Sequence, residues 1–207
     1  MWQSHLIRGY SLPHRYSSSH SFSNLCELCT VGNVVYEINN KPALDEFEKY
    51  FGKLRYNMSV GEGEEFEVLA GQFPLKILKQ QGVSVLRSVL QSDKKTKSLV
   101  LAGGVQEGET FQFCTSPSFE VIDKTIESIG QLQNKIGAVD AVIMISCGAR
   151  LSVFGPMLED EISEIHNLWK QPMIGYFSYG EIGNTNLQND NCEFHNVTCS
   201  LVTITEK

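Results

Sequence analysis

Hydrophobic and polar positions along this chain predict short strands in its middle and helices nearer its two ends. Val34–Ile38 is β-branched and aromatic, which is typical of a strand. A polar turn follows, and Pro42 then stands where a helix can begin, because its missing N–H costs nothing in the first helical turn. Leu44, Phe47 and Phe51 recur at helical spacing, so we expect them to form one apolar helix face.

The central part of the chain carries strand patterns separated by polar or glycine-containing breaks. Gln106-Glu107-Gly108 has the composition of a hairpin turn, which predicts that the strands on its two sides pair with each other. The strands predicted in this part of the chain cover residues 73–78, 83–90, 98–105 and 109–114.

The last third of the chain combines helical and buried-strand patterns. Apolar residues at helical spacing predict a long helix between Ser116, which can cap it, and Gly137, which can end it. The nearly continuous apolar run at 138–146 is typical of a strand that is buried on both faces. Further periodicity predicts a helix at 156–169 and strands at 173–179 and 194–205.

The order of these elements indicates the fold class. About eight strands and three helices are expected, with hairpin-linked strands in the middle and helices towards the ends. This arrangement favours an α+β fold over a doubly wound α/β sheet. We therefore predict a mixed, largely antiparallel sheet with about three helices packed against it.

The first 30 residues differ in composition from the rest of the chain. A serine-rich stretch occupies 17–21, and the first 26 residues contain Arg8 and Arg15 but no acidic residue. Such a segment buries little apolar surface, so we expect residues 1–30 to be a poorly ordered leader or the remnant of an upstream domain. Residues 31–207 are then expected to form one domain.

Composition and charge narrow the classes of function. Apolar residues make up 42% of the chain, and 17 basic against 24 acidic residues give a formal charge of -7. A mildly acidic protein is a poor match for nucleic acid or an anionic membrane surface, and no apolar run is long enough to span a bilayer. Six scattered cysteines favour reduced thiols, and hence a cytoplasmic location, over a disulfide framework.

Three short stretches near predicted strand ends contain the residues best suited to chemistry. They are Ser-Cys-Gly-Ala-Arg at 146–150, the glycine- and tyrosine-containing stretch at 175–183, and His-Asn-Val-Thr at 195–198. Loops at strand ends are where rigid scaffolds commonly hold ligands. The predicted ligand-binding residues are Cys147, Arg150, Gly180, Glu181, His195 and Asn196.

The residue types in these stretches are suited to a zwitterionic ligand. Arg150 offers a planar pair of donors that matches a carboxylate. Glu181 can accept from an ammonium group, and Gly180 beside it allows close approach of the backbone. His195 and Asn196 can add neutral hydrogen bonds. An amino acid would satisfy all of these groups, although Arg150 and Glu181 can instead pair with each other and simply fix two loops.

The same stretches resemble the C-terminal domain of the FIST family, named for F-box and intracellular signal transduction. The motifs N-V-V-Y-E-I-N-N-K-P-A-L, S-C-G-A-R, G-Y-F-S-Y-G-E-I-G and H-N-V-T are similar to that family's motifs and occur in the same order, across about residues 31–205. The resemblance implies a sensory domain for a small ligand, with an amino acid as one candidate, and no cofactor. It also implies a signalling partner or a separate N-terminal FIST domain, since we recognise no such domain in these residues.

A thiol hydrolase is one alternative to a sensor. Cys147, His195 and Asn196 include the residue types of such an enzyme, and a cysteine near a histidine can become a nucleophilic thiolate. However, the side chains of adjacent residues on a strand point to opposite faces, so Asn196 is badly placed to orient His195. We therefore expect no catalysis.

The cysteine and histidine spacing also allows a zinc site to be considered. Cys26-x-x-Cys29 and Cys192-x-x-His195 each have finger-like spacing, but the two pairs lie far apart in the chain, and we expect no metal. A protein-interaction module that passes the state of its ligand to a partner is, in contrast, fully compatible with the sequence.

Overall fold

The computed structural model describes residues 8–12, 26–51, 73–79, 84–114, 120–183 and 192–205. Contacts divide the chain into two compact units. One, here called the central unit, comprises residues 17–116. The other, here called the terminal unit, combines residues 1–16 with residues 117–207.

The described residues of the central unit form antiparallel strands and one helix. Its sheet has the order β6-β5-β9-β2-β3-β8-β7, with the short β4 paired to β3. The strands are β2 (Cys26–Val31), β3 (Val34–Ile38), β4 (Lys41–Pro42), β5 (Leu75–Leu78), β6 (Val85–Arg87), β7 (Val89–Asp93), β8 (Ser98–Leu101) and β9 (Thr110–Phe113), and the helix is α1 (Ala43–Phe51).

A single apolar cluster holds the central unit together. The predicted helix face is present, since Leu44 and Phe47 of α1 are buried in this cluster and Phe51 packs against it. The ring of Phe51 also stacks on that of Phe73, with 4.4 Å between the ring centroids. Burial of large side chains such as Phe111 contributes roughly 1.5–3 kcal/mol each, so this cluster stabilises the unit far more than its exposed ion pairs do.

Two sequence predictions about the central unit are wrong. The segment predicted as one strand at 83–90 forms two strands, β6 and β7. Residues up to Arg87 pair with β5, whereas residues from Val89 onward pair with β8. The turn at Gln106-Glu107-Gly108 does not connect paired strands. β9 pairs with β2 and β5, and β8 pairs with β3 and β7, so β2 and β3 lie between β8 and β9 in the sheet.

The terminal unit combines a four-stranded sheet, a two-stranded ribbon and three helices among the residues that the structure describes. The sheet order is β1-β14-β10-β11, in which β10 and β11 are parallel and the other pairs are antiparallel. The elements are β1 (Arg8–Leu12), α2 (Glu120–Ile136), β10 (Ala141–Cys147), α3 (Gly148–Phe154), α4 (Met157–Trp169), β11 (Met173–Ser178), β12 (Glu181–Gly183), β13 (Glu193–His195) and β14 (Cys199–Ile204).

Helices α2 and α4 cover one face of the terminal sheet. Ile129 of α2, Ile165 and Trp169 of α4 and Met144 of β10 belong to one buried cluster. Along β10, fully buried residues alternate with partly exposed ones. The expectation of burial on both faces is therefore met on the helix side only, since the opposite face is less completely covered.

The boundaries at the start of the chain differ from the sequence prediction. Within residues 1–30, which we set apart as a poorly ordered leader or the remnant of an upstream domain, the structure contains β1 and most of β2. Each pairs with a later strand, β1 with β14 and β2 with β3. The pairing partner of β1 lies far away in the sequence, which explains why local composition did not reveal this strand.

The predicted α+β class is confirmed, since the described residues form four helices and mostly antiparallel sheets. The predicted end of the long helix is also confirmed, because Gly137 has a positive φ of 83° and its N–H donates to the carbonyl of Gln133. The predicted cap, Ser116, lies outside the described residues. In the described chain, no helix is both long and apolar enough to cross a membrane.

Candidate functional site

The three stretches selected from the sequence meet at one end of the terminal sheet. β10 and β11 are parallel, so their carboxyl ends lie side by side, with Cys147 opposite Ser178. β14 runs antiparallel to β10 and begins at the same end, with Cys199 opposite Ser146. The N–H of Cys147 donates to the carbonyl of Thr198 at 2.9 Å, which joins the first and third stretches directly.

Glu181 is the carboxylate at the centre of this arrangement. It opens β12 and is only 2% exposed. Ser178 Oγ donates to Glu181 Oε1 at 2.6 Å, and Thr198 Oγ1 donates to Glu181 Oε2 at 2.8 Å. Burial raises the pKa of this carboxyl, while the Ser178 and Thr198 donors and the charge of Arg150 lower it by less.

Arg150 lies in α3 and is completely buried. Its Nη2 atom forms an ion pair with Glu161 Oε1 of α4, which is also completely buried. The guanidinium carbon stands 5.0 Å from the ring centroid of Phe154. The acid that pairs with Arg150 in this way is therefore Glu161, whereas the sequence pointed to Glu181 or to a ligand carboxylate.

The 195–198 segment lines the other side of the Glu181 carboxylate. His195 is opposite Glu181 in the β12–β13 ribbon, and its Nε2 lies 3.3 Å from the carbonyl oxygen of Gly183. Asn196 is 1% exposed, and neither its Nδ2 nor its Oδ1 has a hydrogen-bond partner among the described residues. A buried amide without partners is costly in a folded protein and commonly marks a place where a water or ligand binds.

Val197 strengthens the case that this segment is under functional constraint. Its φ of 60° lies in the left-handed region, which is strongly unfavourable for a β-branched residue. Such strain persists only where the surrounding structure enforces it, and it is concentrated at functional sites. The glycosylation sequon formed by Asn196, Val197 and Thr198 is fully buried, which makes it inaccessible in the folded protein.

Cys147 has the opposite environment from that of a nucleophilic thiol. It is 4% exposed, and burial together with the negative charge of Glu181 raises its pKa. The backbone N–H groups of Ala149 and Val197 and the charge of Arg150 lower that pKa by less. A reactive cysteine needs a lowered pKa, so this setting favours the neutral thiol.

Gly180 is required for packing. A Cβ at this position would overlap the ring of Phe194 in the facing strand of the ribbon. The absence of a side chain therefore lets Phe194 close over the turn that precedes Glu181. Close approach of the ring, rather than of a ligand, is the contact that the structure assigns to this glycine.

The residues considered for zinc differ in environment. Cys29 and Cys192 are exposed, whereas His195 is buried. Throughout the described ranges, no group of three or more His, Cys, Asp or Glu side chains could hold a metal ion. The side chain of Cys26 lies outside the described part of the chain.

Three residues of the site were missed in the sequence. Ser178 stands three positions before Glu181 and Thr198 two positions after Asn196, so both lay within stretches already selected and could have been proposed as hydroxyl donors. Glu161 had no such signal. It lies near the start of α4, where acidic residues are expected because they complement the helix dipole.

Comparison with protein families identifies the class of this chain. Residues 43–184, more than half of the sequence, match the FIST C domain, and the chain belongs to this family of signal-transduction sensor domains. The match includes Cys147, Arg150, Gly180 and Glu181 and ends before the 195–198 segment. Searches of curated proteins and of solved structures gave no match.

We predict that the Arg150–Glu161 pair is essential for the stability of the terminal unit. Glu161→Gln or Arg150→Met removes one member of a buried ion pair, which should lower the free energy of unfolding by about 3–5 kcal/mol. The double variant should lose less than the sum of the two, because neither charge then remains in the interior. Urea unfolding measures all three, with the exposed Glu164→Gln on the same helix as control. Additive losses would contradict the pairing.

We also predict that Cys147 is unreactive. In the native protein, iodoacetamide should label the exposed Cys192 well before Cys147, because both burial and the Glu181 charge disfavour the Cys147 thiolate. Mass spectrometry of the labelled peptides gives the two rates, and urea-unfolded protein serves as the control in which the difference should disappear. Faster labelling of Cys147 would instead support the thiol-hydrolase alternative.

Proposed function

We propose that this FIST C domain senses a small polar ligand, with amino acids as the first candidates, by reversible binding at the carboxyl ends of β10 and β11. One observation carries the proposal. A buried carboxylate, Glu181, faces the segment that contains Asn196, a buried amide with no hydrogen-bond partner in the described structure. The Asn196 amide makes no hydrogen bond to the described residues, whereas a polar ligand would satisfy it and would bring a positive group to the Glu181 carboxylate.

The proposed roles differ from those expected from the sequence. Glu181 receives an ammonium group, and Asn196 supplies a donor and an acceptor to the remaining polar atoms of the ligand. Arg150 acts from a distance, through its pair with Glu161 and its charge near Glu181, and does not bind the ligand carboxylate. Cys147 and His195 form the walls of the site.

Binding without catalysis is the activity that best fits these groups. The raised pKa of Cys147 works against a nucleophilic role. Asn196 follows His195 directly in the chain, and the His195 Nε2 lies near the carbonyl of Gly183. We therefore propose a sensor that is not an enzyme and that acts in the cytoplasm, where its cysteines would stay reduced.

We predict that calorimetry with the twenty standard amino acids will detect binding of at least one. Glu181→Gln should weaken that binding by roughly ten- to a hundredfold, because a hydrogen bond to a charged group contributes about 1.5–3 kcal/mol. Asn196→Leu should also weaken it, yet should leave the free energy of unfolding unchanged or higher, because the amide has no partner to lose.

Glu164→Gln, which changes an exposed acid on α4, is the control and should bind as the unchanged protein does. Absence of heat with every amino acid would contradict the proposed ligand class. Destabilisation by Asn196→Leu would show instead that the amide serves the fold.

A protein-interaction role is the second candidate, and the exposed surface of β11 favours it. In the described part of the terminal sheet β11 is an edge strand, and Ile174, Tyr176 and Tyr179 are 71%, 59% and 91% exposed. Charged residues and proline usually protect an edge strand from pairing with another chain. Residues 173–180 include neither. We propose that a separate N-terminal FIST domain covers this strand.

We predict that Tyr176→Lys will weaken capture of a separately produced N-terminal FIST domain, lowering its affinity by about tenfold or more. A lysine on an edge strand opposes strand addition. Tyr36→Lys, at an exposed tyrosine of the central unit, is the matched control. Amino-acid binding should be unchanged in both variants, which separates the two roles. Equal capture by both variants would exclude β11 as the docking strand.

A further inference from the structure

Among the side chains that the structure describes, the charges buried near the candidate site do not balance. Arg150 and Glu161 are completely buried, and Glu181 is 2% exposed. One positive group therefore faces two negative groups, which leaves one net negative charge if both acids are ionised. Arg150 interacts with both acids, since it forms an ion pair with Glu161 and its charge lowers the pKa of Glu181.

The contacts of Glu181 do not remove this imbalance. Ser178 and Thr198 donate neutral hydrogen bonds to its two oxygens, at 2.6 and 2.8 Å. These bonds stabilise the carboxylate without adding positive charge. Arg150 is already paired with Glu161, so the negative charge of Glu161 largely offsets the effect of the Arg150 charge on Glu181. A buried carboxylate in this position has two ways to lose its excess charge, namely a proton or a neighbouring cation.

We infer that the site exchanges one for the other: a ligand binds through a positively charged ammonium group, and its binding releases a proton from Glu181 to the solvent. This inference rests on the proposed function and makes the ligand class narrower. The ammonium is the essential recognition group, and a carboxylate on the ligand is not required. An amine that lacks a carboxylate should bind, and an acid that lacks an amine should not.

Among the described side chains, the other titratable groups near Glu181 supply no fixed compensating charge. Cys147 on β10 and Cys199 on β14 can only be neutral or negative, and burial raises the pKa of Cys199 to about 12. On β1, the backbone of Arg8 pairs with that of Thr203, and the Arg8 side chain lies outside the described part of the chain. In the ribbon, Glu193 is acidic, and His195 is opposite Glu181 and could carry a proton itself.

The inference also predicts the effect of pH on stability. Because burial raises the folded-state pKa of Glu181, the folded protein holds this proton more tightly than the unfolded chain does. Its contribution to stability is therefore present below the ordinary carboxyl pKa and is lost as pH rises through the raised value. A cationic ligand binds the form in which Glu181 is ionised, so the stability that the ligand adds to the folded protein increases as pH rises through the same window.

The test is a pH titration of the full chain carrying ¹³C-labelled glutamate side chains, followed by NMR, with methylammonium chloride as the probe. In sodium chloride the Glu181 carboxyl should titrate above the range of exposed glutamates. Saturating methylammonium should lower its midpoint by about one pH unit or more, which corresponds to at least a tenfold preference for the ionised form. Sodium acetate at equal ionic strength should leave the midpoint unchanged.

Two variants identify the signal and its cause. Glu181→Gln should remove the shifted resonance. Thr198→Val keeps the shape of the side chain but removes a donor to the carboxylate, so it should raise the midpoint and identifies the signal if Glu181→Gln does not fold. Glu164→Gln, at an exposed acid of α4, is the control and should preserve the methylammonium shift. A Glu181 midpoint that methylammonium does not move would overturn the inference.

Failure of this inference is distinguishable from failure of the proposed function. Calorimetry of amino acids in phosphate and in Tris, two buffers with different ionisation enthalpies, reports the protons released on binding. Binding without proton release would retain the sensor and reject the exchange. A methylammonium-dependent midpoint without any amino-acid binding would retain the exchange and reject amino acids as the ligand class.

Discussion

The terminal unit depends on the cost of burying charge. Arg150 and Glu161 are both completely removed from solvent, and each lowers the cost of burying the charge of the other. Their pairing joins α3 to α4 and fixes the two helices that connect β10 to β11. The pair also sets the electrostatic surroundings of Glu181, because the negative charge of Glu161 offsets much of the positive charge that Arg150 places near Glu181. The chemistry of the candidate site follows from that imbalance.

Backbone topology then determines which groups share the site. The parallel pairing of β10 and β11 places Cys147 beside Ser178, and the antiparallel return of β14 brings Thr198 to the same edge. The left-handed conformation of Val197 shapes the segment between the ribbon and β14. Val197 is completely buried, and Asn196 beside it is buried with no hydrogen-bond partner among the described residues.

The two proposed roles are connected through a single strand. β11 presents an uncharged, exposed edge along its length, and its last residue, Ser178, donates a hydrogen bond to Glu181. A change in the charge of Glu181 would therefore alter the hydrogen bond at the end of the strand that we propose as the docking surface. Ligand state and partner binding can be coupled by this route, as a sensor requires, because both would act on the same hydrogen-bonded element.

The sequence by itself determined the α+β class, the end of the long helix at Gly137 and the family to which the chain belongs. Each of these rests on local patterns, such as apolar periodicity, turn residues and short motifs. Tertiary structure alone decided that Glu161 is the acid paired with Arg150, that Phe194 closes over Gly180, and that β2 and β3 separate β8 from β9. Pairing partners are chosen by long-range packing and by the need to neutralise buried charge, and neither leaves a periodic trace in the residues nearby.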